Sequence, residues 1–148
     1  MSDGWLQHAS EKNGEPYTAR RIAFFPAISE QKKLPILIYF AWAFDREGAN
    51  GLPDDREWVR INECQQALAG AAPGFGAMLI GSLTSDGLHT FYVYCNNAAA
   101  AQIKLVGAVP DTDVTESWEI TVIEDAAWEQ ARHLTKLMGK SVPLISRH

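Results

Sequence analysis

Hydrophobic and polar positions change period several times along the chain, and each change marks an element. Trp5 to Ala9 and Tyr17 to Phe24 are two β-forming runs on either side of "EKNGEP". Asn13-Gly14 supplies the two positive-φ residues of a tight hairpin turn, so this segment is predicted as two paired strands. Pro35 to Phe44 is an unbroken apolar run of strand length, which suits a central strand covered on both faces. After the polar loop "DREGANGLP" the period becomes helical. Trp58, Ile61, Cys64 and Leu68 lie on one stripe, Pro53 stands at a first-turn position, and Asp54 with Glu57 forms a capping-box spacing. Gly70 and Pro73 are expected to stop this helix.

The stretch "GSLTSDGLHTFYVY" then reads as a hairpin turning at Asp86-Gly87. With two residues in the turn, Met78, Ile80, Phe91, Val93 and Cys95 share one face. Leu79, Leu83, Thr90, Tyr92 and Tyr94 share the other, and the missing side chain of Gly81 leaves room for the Tyr92 ring. A bulge at Gly87 would flip one strand. A helix follows from about Asn97 to Val106, with Ala99, Ile103 and Val106 expected to face the sheet and Gly107 and Pro110 to end it. Val114 to Val122 alternates cleanly as a half-buried strand, Val114, Trp118, Ile120 and Val122 on its core side. A last helix is expected from Glu124 or Asp125 to about Met138, ahead of an irregular tail.

From Pro35 to Val122 the order is strand, helix, strand, strand, helix, strand. This predicts an α+β fold, a ferredoxin-like βαββαβ sandwich extended by an N-terminal β-hairpin and a C-terminal helix, in one domain spanning residues 1–148. At this length one core can bury roughly two thirds of the unfolded surface, so neither metals nor disulfides are needed as staples. Only Cys64 and Cys95 occur, both on apolar stripes, and both read as reduced core thiols. The N-terminus lacks a signal-peptide pattern and the longest apolar run is about half a membrane span, so a cytoplasmic protein with no membrane partner is expected.

Chemistry is scarce. Ser85 precedes Asp-Gly and a second strand, whereas a nucleophile elbow needs Gly-x-Ser-x-Gly on a strand-to-helix turn. The four histidines are far apart in sequence without a zinc spacing, and His89 and His133 read as solvated or half-buried. No phosphate or dinucleotide loop is present, so no catalytic, cofactor or metal residue is assigned. The "TFYVYC" strand stands where RNA-recognition modules carry stacking aromatics, but a net charge of -5 and Asp86-Gly87 in place of a basic start argue against nucleic acid.

Two surface features remain. Asp45, Glu47, Asp54, Asp55 and Glu57 are explained by a solvated loop and a helix N-terminus, or they form an anionic patch steering a basic partner. Tyr39, Tyr92 and Tyr94 would lie on the sheet face that two helices leave uncovered. Four stretches together, "NGEPYTARRIAF" after Trp5, "GLPDDREWVRINECQQAL", "GSLTSDGLHTFYVY" and "EDAAWEQARHL", resemble the bacterial domain-of-unknown-function family 695. That resemblance implies a ferredoxin-like sandwich and a distant similarity to the regulator of ribonuclease E activity B, which acts by binding an enzyme. The expectation is therefore a non-catalytic protein-binding module, an inhibitor or regulator of nuclease-regulator or toxin-immunity type. Its expected contacts are Tyr39, Tyr92, Tyr94, Asp45, Glu47, Asp54 and Asp55. A small-molecule-binding protein or small enzyme using the tyrosine face is the alternative.

Overall fold

A computed structural model describes residues 4–44, 52–109 and 118–143. Strands β1 (Trp5–Lys12) and β2 (Glu15–Ile22) pair through a two-residue turn. Asn13 and Gly14 both take positive φ there, 55° and 83°, as that turn demands. A short helix α1 (Ile28–Gln31), absent from the sequence expectation, leads into β3 (Ile36–Ala43). Leu37 is buried on one side of β3 and Ile38, Phe40 and Trp42 on the other, which explains the unbroken apolar run.

Helix α2 (Asp55–Ala71) opens with the expected capping box: Asp54 Oδ1 accepts from Glu57 N–H and Glu57 Oε1 accepts from Asp54 N–H, both at 2.8 Å. Asp54 is the cap, so Pro53 lies before the helix rather than in its first turn. Gly70 does not stop it. The helix runs on to Ala71 and tightens into a 3₁₀ turn over Ala72–Phe75 that accommodates Pro73, and left-handed Gly76 ends it. Strands β4 (Ala77–Ser85) and β5 (Leu88–Cys95), helix α3 (Ala98–Ala108), strand β6 (Trp118–Glu124), helix α4 (Glu129–Met138) and strand β7 (Val142–Pro143) complete the described chain. Val114 lies outside the described residues. The tail expected to be irregular supplies β7, which pairs with Leu6 and Gln7 of β1.

The seven strands form one antiparallel sheet in the order β6-β3-β5-β4-β2-β1-β7. Helices α2 and α3 cover one face, burying Ile61, Cys64, Leu68, Ala101 and Leu105 against Phe40, Trp42, Phe91 and Val93. Helix α4 covers part of the other, where Ala131, Leu134 and Met138 meet Ala19, Ile80 and Tyr92. Burying a leucine such as Leu134 fully contributes roughly 2 kcal/mol.

Two facing assignments are corrected. The Asp86-Gly87 turn and the pairing from Ser85↔Leu88 to Gly81↔Tyr92 match the expected register, but a bulge lies between Leu79 and Gly81, away from Gly87. Beyond it Met78 pairs with Tyr94 and joins Ile80 on the tyrosine face, while Leu79 turns to the α2 side. An inserted residue reverses every side chain after it, because the strand period is two. On α3, Ala101 and Leu105 face the sheet, whereas Ile103 and Val106 are 74% and 55% exposed. That helix is apolar on most sides, so its pattern could not say which stripe would be covered.

Candidate functional site

The three tyrosines do not share one surface. Tyr94 is fully buried, stacked on Trp128 with ring centroids 4.1 Å apart and planes at 13°. Its hydroxyl donates to Asp125 Oδ2 at 2.6 Å and accepts from Ala131 N–H at 3.1 Å. Asp125 also accepts from Glu129 N–H at 2.8 Å and Gln130 N–H at 2.9 Å, so it satisfies two of the free donors at the start of α4. Trp128 sits in the left-handed region at φ 57° and donates from its indole to Leu34 O at 2.9 Å. The Glu124-Asp125-x-x-Trp128 pattern is thus a clamp that fastens α4 onto the sheet, and α4 begins at Glu129 because Asp125 caps it from outside.

This arrangement corrects the expectation for Tyr94, which cannot meet a partner without α4 lifting away, and ends the version of a ligand pocket lined by all three tyrosines. Tyr92 is nearly buried and meets half-buried Tyr39 edge-on, centroids 5.1 Å apart at 89°. Burial raises all three hydroxyls above their usual pKa. The Asp125 charge adds to the rise at Tyr39, the Tyr39 ring to that at Tyr92, and the Asp125 hydrogen bond and charge to that at Tyr94. None is a phenolate nucleophile near neutral pH. Of the acidic candidates, Asp54 is committed to its capping box, Asp55 is exposed in the first turn of α2, and Asp45 and Glu47 lie outside the described residues.

The sequence reading missed a polar cluster on the opposite face, under α2. Arg20 of β2 is buried and its guanidinium donates to Gln7 Oε1 (2.8 Å), Asn62 Oδ1 (2.8 Å) and Gln65 Oε1 (3.0 Å). The Trp58 ring lies over it, 4.9 Å away. Burial lowers the Arg20 pKa to about 10. Beside it, Thr18, Ser82, Thr84 and His89 are buried on the same face. His89 is fully enclosed rather than solvated or half-buried, with Nδ1 2.5 Å from Thr84 Oγ1. Burial and then the Arg20 charge hold its pKa well below the ordinary histidine value. Ser82 Oγ, His89 Nε2 and Trp42 Nε1 are buried with no hydrogen-bond partner among the described residues. The available signal was Arg20 at an inward position of β2. Locating its neighbours required knowing that β4, not β1 alone, pairs with β2.

Among the described residues, no group of three or more His, Cys, Asp and Glu could hold a metal ion, and no helix is long and apolar enough to cross a membrane. Compared with known families, residues 3–132 match the model described as "Family of unknown function (DUF695)". The chain belongs to DUF695. The DUF695 match takes in the β1–β2 hairpin, the Arg20 cluster and the Asp125–Trp128 clamp, and it ends inside α4, before β7. No curated protein and no solved structure matches the chain.

Proposed function

We propose that this DUF695 chain is a non-catalytic protein-binding module that regulates a partner carrying a basic surface. The carrying observation is the outer side of α3, where Ile103 and Val106 are exposed on a helix apolar nearly all round, a pattern ordinarily covered by something. Val59 is exposed on neighbouring α2, whose N-terminus carries exposed Asp55. Exposed apolar residues on α2 and α3, with an exposed acid at the start of α2 on a chain of net charge -5, suit a partner built to hold phosphates, such as a nuclease. The strand order β6-β3-β5-β4, with α2 and α3 on one face, supports a ferredoxin-like core for the segment from β3 to β6. A distant similarity of this family to the regulator of ribonuclease E activity B would point the same way, and a cytoplasmic setting would keep Cys64 and Cys95 as thiols.

The test is affinity capture from native lysate and with neighbouring gene products, using the wild-type chain and an Ile103→Glu/Val106→Glu variant of unchanged circular dichroism. A stoichiometric basic protein that is retained by the wild type, lost from the variant and weakened by salt supports the reading. Identical capture by both chains, or no stoichiometric protein, refutes it. Self-association of the wild type abolished in the variant would replace the basic partner with a second copy.

A further inference from the structure

Arg20 is a cation taken out of water, yet among the described residues the acceptors of its three hydrogen bonds are all neutral amide oxygens. Amides satisfy and orient a guanidinium without cancelling its charge. Burial is the cause of the depressed pKa, and no acid among the described residues acts the other way. Across the β2–β4 ladder, Ser82 is the direct partner of Arg20, so the two side chains stand next to each other on the α2 side. The Ser82 hydroxyl is buried with no partner among the described residues.

His89 is the next contributor. Its Nδ1 meets the Thr84 hydroxyl, its Nε2 is buried without a partner among the described residues, and Arg20 is near enough for its charge to favour the neutral ring. When Nδ1 accepts from Thr84, the ring proton sits on Nε2, which becomes a donor. In that tautomer one cation and two neutral donors are grouped on three adjacent strands.

We propose that Arg20, Ser82 and His89 form a binding site for a small oxyanion, a phosphate or carboxylate group, between α2 and the β2–β4–β5 surface. Arg20 supplies the charge and the N–H donors of Nη2, the nitrogen that takes no part in the three amide bonds, and Ser82 and His89 supply directional hydrogen bonds. Gln7, Asn62 and Gln65 hold the guanidinium in place. Asn62 is exposed, and Gln7 and Trp58 are half-buried, so the cluster lies one layer of side chains beneath the surface, with Trp58 as its cover. This differs from a purely structural role, in which Arg20 only ties β1, β2 and α2 together through amides.

The experiment is a titration of the full-length protein with inorganic phosphate and, separately, with acetate at constant ionic strength, followed by the ring-proton NMR signals of His89. The expected result is a saturable shift with at least one anion. Its dissociation constant should rise roughly tenfold in Ser82→Ala, which removes one hydrogen bond, and the shift should vanish in Arg20→Met. Saturation by phosphate alone assigns the phosphate class, and by acetate alone the carboxylate class. No saturable shift with either anion overturns the proposal, and so does unchanged affinity in Ser82→Ala. If Arg20→Met does not fold, Ser82→Ala decides by itself.

Discussion

Gly81 is the point where a single methyl group tests the packing of α4 on the sheet. Its φ is not in the left-handed region, so alanine costs nothing in backbone strain there, and the effect is steric. A Cβ at Gly81 would stand 2.5 Å from Leu134 Cδ2 and 2.6 Å from the Arg20 carbonyl oxygen, where ordinary contacts begin at 3.4 Å. The leucine can rotate, but the Arg20 carbonyl belongs to the backbone of β2, paired with β4 at this point. Relief therefore means moving β2 away from β4 by most of an ångström. Overpacking of this kind costs about 1–3 kcal/mol, and a weakened ladder hydrogen bond adds about 1 kcal/mol. The smaller entropy of the unfolded alanine chain returns up to about 1 kcal/mol. The net loss for Gly81→Ala is about 2 kcal/mol, which lowers Tm by about 4–8 °C in a chain of this size. Thermal and urea unfolding followed by circular dichroism would measure it. Gly70 provides the control, since nothing lies within 4 Å of its Cβ position on α2; Gly70→Ala should gain about 0.5–1 kcal/mol. In Gly81→Ala/Leu134→Ala, the combined loss should be smaller than the sum, because the shorter side chain vacates the clash. A Tm for Gly81→Ala within about 2 °C of wild type, or strict additivity with Leu134→Ala, would refute the assignment of this space to α4.

Tyr94→Phe should cost about 1–3 kcal/mol, since it leaves Ala131 N–H buried without its acceptor and removes a bond to Asp125; hydrogen exchange should quicken first at the start of α4. Asp125→Ala loses two cap bonds as well and should cost more, about 3 kcal/mol by urea unfolding. His89 has its folded pKa depressed, so its contribution is complete above the unfolded value near 6.5 and is lost as pH falls below it, by up to about 1.4 kcal/mol per pH unit. His89→Gln should flatten that part of the stability curve, and an unchanged slope would count against a buried neutral ring. Tyr92 and Tyr94 have raised folded pKa values, so their contribution is present below about pH 10 and is lost as pH rises above it. Absorbance titration should show these two rings ionising only as the chain unfolds.

Local chemistry was enough to determine most elements, though not the short α1 or the edge strand β7. Asn13-Gly14 and Asp86-Gly87 can each supply two positive-φ residues, Asp54 with Glu57 can cap a helix from either side of its first turn, and the run from Ile36 to Ala43 is too apolar for any but a central strand. These are short-range constraints, legible without knowing what lies opposite. The same reasoning gave the register of the β4–β5 hairpin as far as Gly81, and it failed where the bulge inserts one residue, because nothing local to "MLIG" distinguishes a bulge from regular strand.

Contacts between distant segments decided the rest. Helix α4 and its Asp125–Trp128 clamp turn Tyr94 from a surface candidate into core, through bonds spanning 31 and 37 residues. Arg20 becomes a buried cation only because Asn62 and Gln65 arrive on α2, more than 40 residues later. The exposed stripe of α3 is set by which side of an apolar helix meets β3, a choice its composition leaves open. Residue patterns specify local geometry and which surfaces are apolar. Which apolar or charged surface ends up covered is a property of the whole packed chain, since burial depends on partners that no neighbouring residue encodes.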